Sequence, residues 1–149
     1  AVPTAVLVAA PLATRAVIDA PPIDGERLAV ALATYPLYAL AQLAVFEVYL
    51  LRRLRKLSRS TPALVAVAGG LFALVHWPNG PLMAACAAGG ALWAWVFLRR
   101  PNLYAIALSM GLAAAVLINS LPREQMLRNA RTGPIYVRRM QDAAEGRWP

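Results

Sequence analysis

The sequence predicts an all-α, polytopic membrane protein with four or five transmembrane helices. Three observations carry this reading. Sixty per cent of the 149 residues are hydrophobic and 15% are charged, against about 45–50% apolar and about 25% charged in soluble domains. The mean hydropathy is +0.54, which also excludes a disordered chain, since disorder needs low hydrophobicity and dense charge. Finally, the charges fall between the apolar runs rather than along them. A net charge of +8 and a pI near 10.8 suggest nucleic acid at first sight. The arginines form no separate basic domain, however, so topology and anionic lipid explain them better, and no nucleic-acid partner is expected.

A helix needs about 20 apolar residues, with a range of about 17–25, to cross a bilayer. Five runs qualify. Ala1–Val17 is the weakest, because Pro11 and Arg15 interrupt it. Leu28–Leu51 contains a single charge, Glu47. Pro62–Trp77 and Pro81–Leu98 are short, and the turn Trp77-Pro78-Asn79-Gly80-Pro81 joins them into a helical hairpin. Asn102–Leu121 is the fifth. Nothing resembling a long linker or repeat divides the chain, so residues 1–121 read as one transmembrane domain and 122–149 as a basic extramembrane tail. No basic stretch precedes the first apolar run, so a secretory signal is not expected.

Loop charge sets the orientation. Arg52, Arg53, Arg55, Lys56 and Arg59 follow the second run and Arg99 and Arg100 follow the fourth, so both connections belong on the cytoplasmic side. The uncharged 77–81 turn and the net-negative stretch from Arg15 to Arg27 belong outside. The tail breaks the pattern: parity puts it outside, yet it carries six Arg against three acidic residues. Its arginines, with Tyr136 and Trp148, suit an interfacial segment or a partner surface as well as a solvated tail. Arg outnumbers Lys fourteen to one, which suggests a GC-rich bacterial genome and, for a multi-pass chain, the inner membrane.

Ionisable groups in mid-membrane cost on the order of 2.5–3.5 kcal/mol on insertion scales, so each invites a functional reading. Two stand within the strong runs, Glu47 and His76. The structural alternatives are plain. Glu47 lies about one turn before Arg52 and is placed to pair with an arginine or reach interfacial water. His76 beside Trp77 is an ordinary interfacial pair. Cys86 is the single cysteine and forms no internal disulfide or metal cluster. Gly69-Gly70, Gly89-Gly90 and Gly111 with Ala115 are small-residue sites where helices approach closely. Trp77, Trp93, Trp95 and Tyr104 fit an aromatic belt.

The order of local patterns is informative. Glu47-Val48-Tyr49-Leu50-Leu51-Arg52 sets an acid five residues before an arginine. Phe72-Ala73-Leu74-Val75-His76 is an FxxxH segment. Asn102-Leu103-Tyr104 opens the last apolar helix, which continues through Met110 to Ala114. Across about residues 40–118 this order resembles the CAAX prenyl protease and bacteriocin-processing (CPBP) family of intramembrane metalloproteases. Its motifs are EExxxR, FxxxH, and an NLW-like helix entry followed by HxxxN. The resemblance implies a CPBP-core-like helical fold in which Glu and two His hold a metal or activate a water, with Asn helping to form an oxyanion hole.

The departures from that pattern decide the expectation. Val48 replaces the second acid, Met110 the second His and Ala114 the Asn. A catalytic zinc takes three protein ligands and an open position, and this chain has one histidine. Methionine is a soft ligand, poorly suited to a zinc that must activate water, and alanine offers no donor to an oxyanion. Glu47, Arg52 and His76 are therefore expected to be vestigial, with no catalytic residue, metal or cofactor. The expected role is a non-catalytic accessory subunit of a larger bacterial membrane complex, photosynthetic or respiratory, contacting lipid and other integral membrane subunits. Two rival readings stand beside it. One is an active protease that borrows a ligand from an oligomer partner. The other is a pigment- or haem-binding subunit ligated through His76, against which stands bulky Phe72 where light-harvesting helices keep a small residue.

Overall fold

The computed structural model describes residues 22–120 and 132–147, together with positions 9, 12 and 13. The expected first span, Ala1–Val17, lies almost wholly outside the described residues, as do Leu121 and, in the tail, residues 122–131 and 148–149 with Trp148. Among the described residues the chain is helical, with no strand. The helices are α1 (Gly25–Leu57), α2 (Thr61–Leu74), α3 (Gly80–Arg99), α4 (Leu103–Ser120) and α5 (Gly133–Ala144).

Four helix starts are written into the sequence as capping side chains. The Asp24 carboxylate accepts from the Arg27 N–H at 3.2 Å, Ser60 from Ala63, Asn79 from Leu82 and Asn102 from Ala105. Each satisfies an amide that has no partner inside its helix. Pro62 and Pro81 sit in the first turns of α2 and α3, where a missing N–H costs nothing. These caps correct the expected boundaries outward: the second run extends to Gly25–Leu57 and the fourth to Gly80–Arg99. The third shrinks to Thr61–Leu74, and Val75–Pro78 turn instead of continuing.

Helices α1, α3 and α4 are long and apolar enough to cross a membrane, and α2 is a shorter apolar helix of 14 residues. The protein is thus an all-α, multi-pass membrane protein. Helix α1, with 33 residues, is about 50 Å long at 1.5 Å per residue, well beyond a hydrocarbon core of about 30 Å. Its surplus length carries Arg52, Arg53, Arg55 and Lys56.

Packing is pairwise. The first part of α1 lies along α4, α2 lies along α3, and the last part of α1 meets α2. Glycines set the separations. A Cβ on Gly69 would stand 2.7 Å from the Ala87 carbonyl oxygen and 3.0 Å from the Ala91 Cβ, and one on Gly90 would stand 3.0 Å from the Phe72 Cβ. The small-residue sites at Gly69, Gly90 and Gly111 are therefore used in packing within the chain, while Gly70 meets nothing within 4 Å. The central cluster joins Ala39 and Leu43 of α1, Phe72 of α2, Trp93 of α3, and Ile106, Ala107, Met110 and Ala113 of α4. A second cluster, Leu51, Leu64, Ala68 and Ala94, fills the basic end.

One aromatic expectation is corrected. Trp93 does not belong to a membrane-interface belt: it is 8% exposed, and its indole N–H donates to Ser109 Oγ at 3.3 Å. Its ring occupies the space that a Cβ on Gly89 would fill. Trp77, Trp95 and Tyr104 are exposed as a belt requires.

Candidate functional site

Between Ala44 and Leu50 helix α1 changes from α to π geometry. Such wide turns recur at functional sites, because they re-aim one side chain without breaking the helix. The re-aimed residue here is Glu47, which is 2% exposed. Glu47 lines a cavity of about 10 Å³ (space for the centre of a water-sized sphere) with Leu43, Phe46, Ala68, Phe72, Gly90, Trp93 and Met110. That is about the room one water needs. Glu47 Oε2 has no hydrogen-bond partner, and no arginine among the described residues forms an ion pair with it. Of the two structural alternatives for Glu47, pairing with an arginine is not found among the described residues. Arg52 is exposed, and its neighbour Arg53 lies over the Tyr49 ring at 5.5 Å.

His76 sits in the turn after α2, half-buried. Its Nδ1 lies 2.8 Å from the Phe72 carbonyl oxygen. A carbonyl only accepts, so Nδ1 carries a proton, and in the neutral ring the lone pair is then on Nε2. A backbone carbonyl fixing the far nitrogen is the usual support behind a ligating imidazole. The Phe72 ring meets the His76 ring at 5.2 Å and the Phe46 ring at 5.1 Å, both edge-on.

Phe72 thus gathers the motif residues. Simple alternating spans would leave Glu47 and His76 at opposite ends of their helices. Instead α1 runs on to Leu57, its π turn faces α2, and Glu47 and Phe72 share one cavity with His76 a single turn beyond. Met110 from α4 closes the same cavity and is itself buried. Ala114, one turn further, is half-buried. Asn102 caps α4 through its side-chain oxygen, which gives that motif position a structural role. Tyr104 beside it is exposed. Leu43, Phe46, Ala68, Gly90 and Trp93 complete the lining and were not singled out by sequence as site residues. The Gly-Gly-x-x-Trp spacing of 89–93 is the signal that could have found Trp93, because a glycine one turn back leaves room for an indole to fold inward.

This donor set does not fit a catalytic metal. The cavity offers one carboxylate and one thioether, and the single imidazole stands behind Phe72. No group of three His, Cys, Asp or Glu exists among the described residues that could hold a metal ion.

The helical scaffold is that of an all-α, multi-pass membrane protein in which Glu47, Phe72 and Met110 meet at one cavity. The comparison with protein families narrows this. The model described as type II CAAX prenyl endopeptidase Rce1-like matches residues 25–117, more than half of the chain. The chain belongs to that family, and so to the wider CAAX protease and bacteriocin-processing group. No curated protein and no solved structure matches it.

Proposed function

We propose that this chain is a non-catalytic member of the Rce1-like family, serving as a structural subunit of a larger complex in a bacterial inner membrane. One observation carries the reading. At the position of the family's second histidine stands Met110, whose side chain is packed into the central hydrophobic cluster against the Glu47 cavity. A polar catalytic centre has been exchanged for core packing while the scaffold is kept. Ala114, in place of the motif Asn, removes the oxyanion donor as well. Photosynthetic and respiratory assemblies are the complexes proposed to hold it.

A second reading has its own support. Glu47 is buried with an unpartnered oxygen, and His76 presents Nε2. Two of the family's three donors therefore survive, and an active protease would need the third from another subunit.

The full chain purified in mild detergent decides between them. The subunit reading expects substoichiometric zinc, no cleavage of a prenylated CAAX peptide, and co-purification with a fixed set of larger membrane proteins across several detergents. Stoichiometric metal that is lost in both Glu47→Ala and His76→Ala would overturn it. So would a chain that runs alone and monomeric in every detergent.

A further inference from the structure

Helix α5, Gly133–Ala144, has no buried residue, although every other described helix contributes to the interior. With 3.6 residues per turn, Tyr136, Val137, Met140, Ala143 and Ala144 share a face roughly 120° wide. Arg138, Arg139, Gln141 and Asp142 occupy the opposite side; Ile135 is the apolar exception there. Val137 and Met140 are 43% and 37% exposed, and Tyr136 and Ala143 are half-buried, so no part of the apolar face is buried among the described residues. Asp142 and Glu145 both pair with Arg147, and neither pairs with Arg138.

The position of this helix is fixed at one end. The Gly133 N–H donates to the Trp77 carbonyl at 2.9 Å, so α5 begins at the turn between α2 and α3. Gly133 has φ +65°, a left-handed conformation that glycine adopts without strain. Trp77 is 66% exposed at the end of apolar helices, where an indole marks the bilayer boundary. An unburied apolar face that starts at that boundary, with arginines behind it, has the pattern of a helix lying in the interface. The tether to Trp77 also places it there without the entropy loss of binding from solution.

We propose that α5 lies on the bilayer surface at the hairpin end of the molecule, with its Val137–Met140 face set into the headgroup boundary of an anionic membrane. A helix is about 10 Å across, so the arginine face stays within about one Debye length of the lipid phosphates. The charges that break the loop pattern are thus held at a membrane surface rather than in bulk water.

Nitroxide labels test this on the full chain. Met140→Cys, Val137→Cys and Arg138→Cys are each made in a Cys86→Ala background and reconstituted in vesicles of phosphatidylcholine and phosphatidylglycerol at about 3:1. Labels at 137 and 140 should collide with oxygen more than with a water-soluble nickel chelate, and the label at 138 should do the reverse. Replacing phosphatidylglycerol with phosphatidylcholine, or adding Arg138→Glu, should lower oxygen contact at 140 by about twofold or more. All three labels open to nickel would show a solvated tail and overturn the proposal. Labels at 137 and 140 shielded from both reagents would show a protein partner or second copy on this face and overturn it too. The unsubstituted chain gives an independent reading. Amide exchange over residues 134–144 should be about tenfold slower in anionic than in zwitterionic nanodiscs, and equal rates would defeat the lipid assignment.

Discussion

The backbone of Pro36 fills the place where a side chain on Gly111 would begin: its N and Cα stand 2.5 Å from the position of a Cβ there. Pro36 lies inside α1, and its own lack of an N–H makes it a poor helix residue. The two imperfections meet face to face and bring α1 and α4 into direct backbone contact.

Gly111→Ala should therefore destabilise the protein by about 1–3 kcal/mol, the usual cost of overpacking, because backbone cannot yield as a flexible side chain can. Gly70→Ala is the control. It meets nothing within 4 Å and should be neutral or stabilising by up to about 1 kcal/mol through helix propensity. Thermal unfolding in one detergent compares the two, and equal effects would remove the claim that the Pro36 contact matters.

Glu47→Leu reads out what the buried carboxyl is for. An unpartnered polar group in an apolar cavity costs about 1–3 kcal/mol on mutational scales. If the site is vestigial, Glu47→Leu should raise the midpoint of thermal unfolding by several degrees. A fall in the midpoint would show that Glu47 has a working partner in the native membrane.

Trp93 and Ser109 form a bond that a double-mutant cycle can isolate. Trp93→Phe and Ser109→Ala should each cost stability, with a coupling of about 0.5–1.5 kcal/mol between them, the ordinary net worth of a hydrogen bond. Strict additivity would show that the indole is held by packing alone.

Restoring the family pattern tests the pseudoenzyme reading by gain of function. Met110→His with Ala114→Asn places an imidazole in the cavity wall with Glu47 and Phe72. The double variant should retain zinc near one equivalent after desalting, where the parent retains little. Failure of a folded double variant to bind would mean that the scaffold, as well as the ligands, has departed from a metal site.

Much of this architecture was legible in the sequence because the bilayer simplifies the code. Apolar length marks spans, whereas the starts capped by Asp24, Ser60 and Asn79 fall one to three residues before the apolar runs and were not read from them. The hairpin followed from Pro78, Asn79, Gly80 and Pro81 between two apolar runs. The motif residues Glu47, Phe72 and His76 were legible too, through their order. Their convergence was not, since no local pattern announces that α1 widens between Ala44 and Leu50. Trp93 was misplaced for a related reason: near a helix end an indole suits either an interface or a core, and only the neighbour at Gly89 decides. The attachment of α5 to Trp77 rests on a main-chain bond, which leaves no trace in side-chain chemistry.

The widened turn in α1 also has a consequence for register. Ala39, Leu43, Glu47 and Leu51 are all buried, in steps of four. An α-helix advances about 40° beyond a full turn at each such step, so an uninterrupted one would carry the row around to lipid by its last member. A π turn holds more than four residues, and its steps of four fall short of a full turn, cancelling the drift. One surplus residue thus phases two halves of a single helix, so that the first half docks on α4 and the second on α2. Deleting one residue between Ala44 and Leu50 should shift that phase and swing Leu51 and Leu54 off Leu64 and Ala68. Loss of the basic-end cluster, with the α1–α4 contact intact, would be its signature.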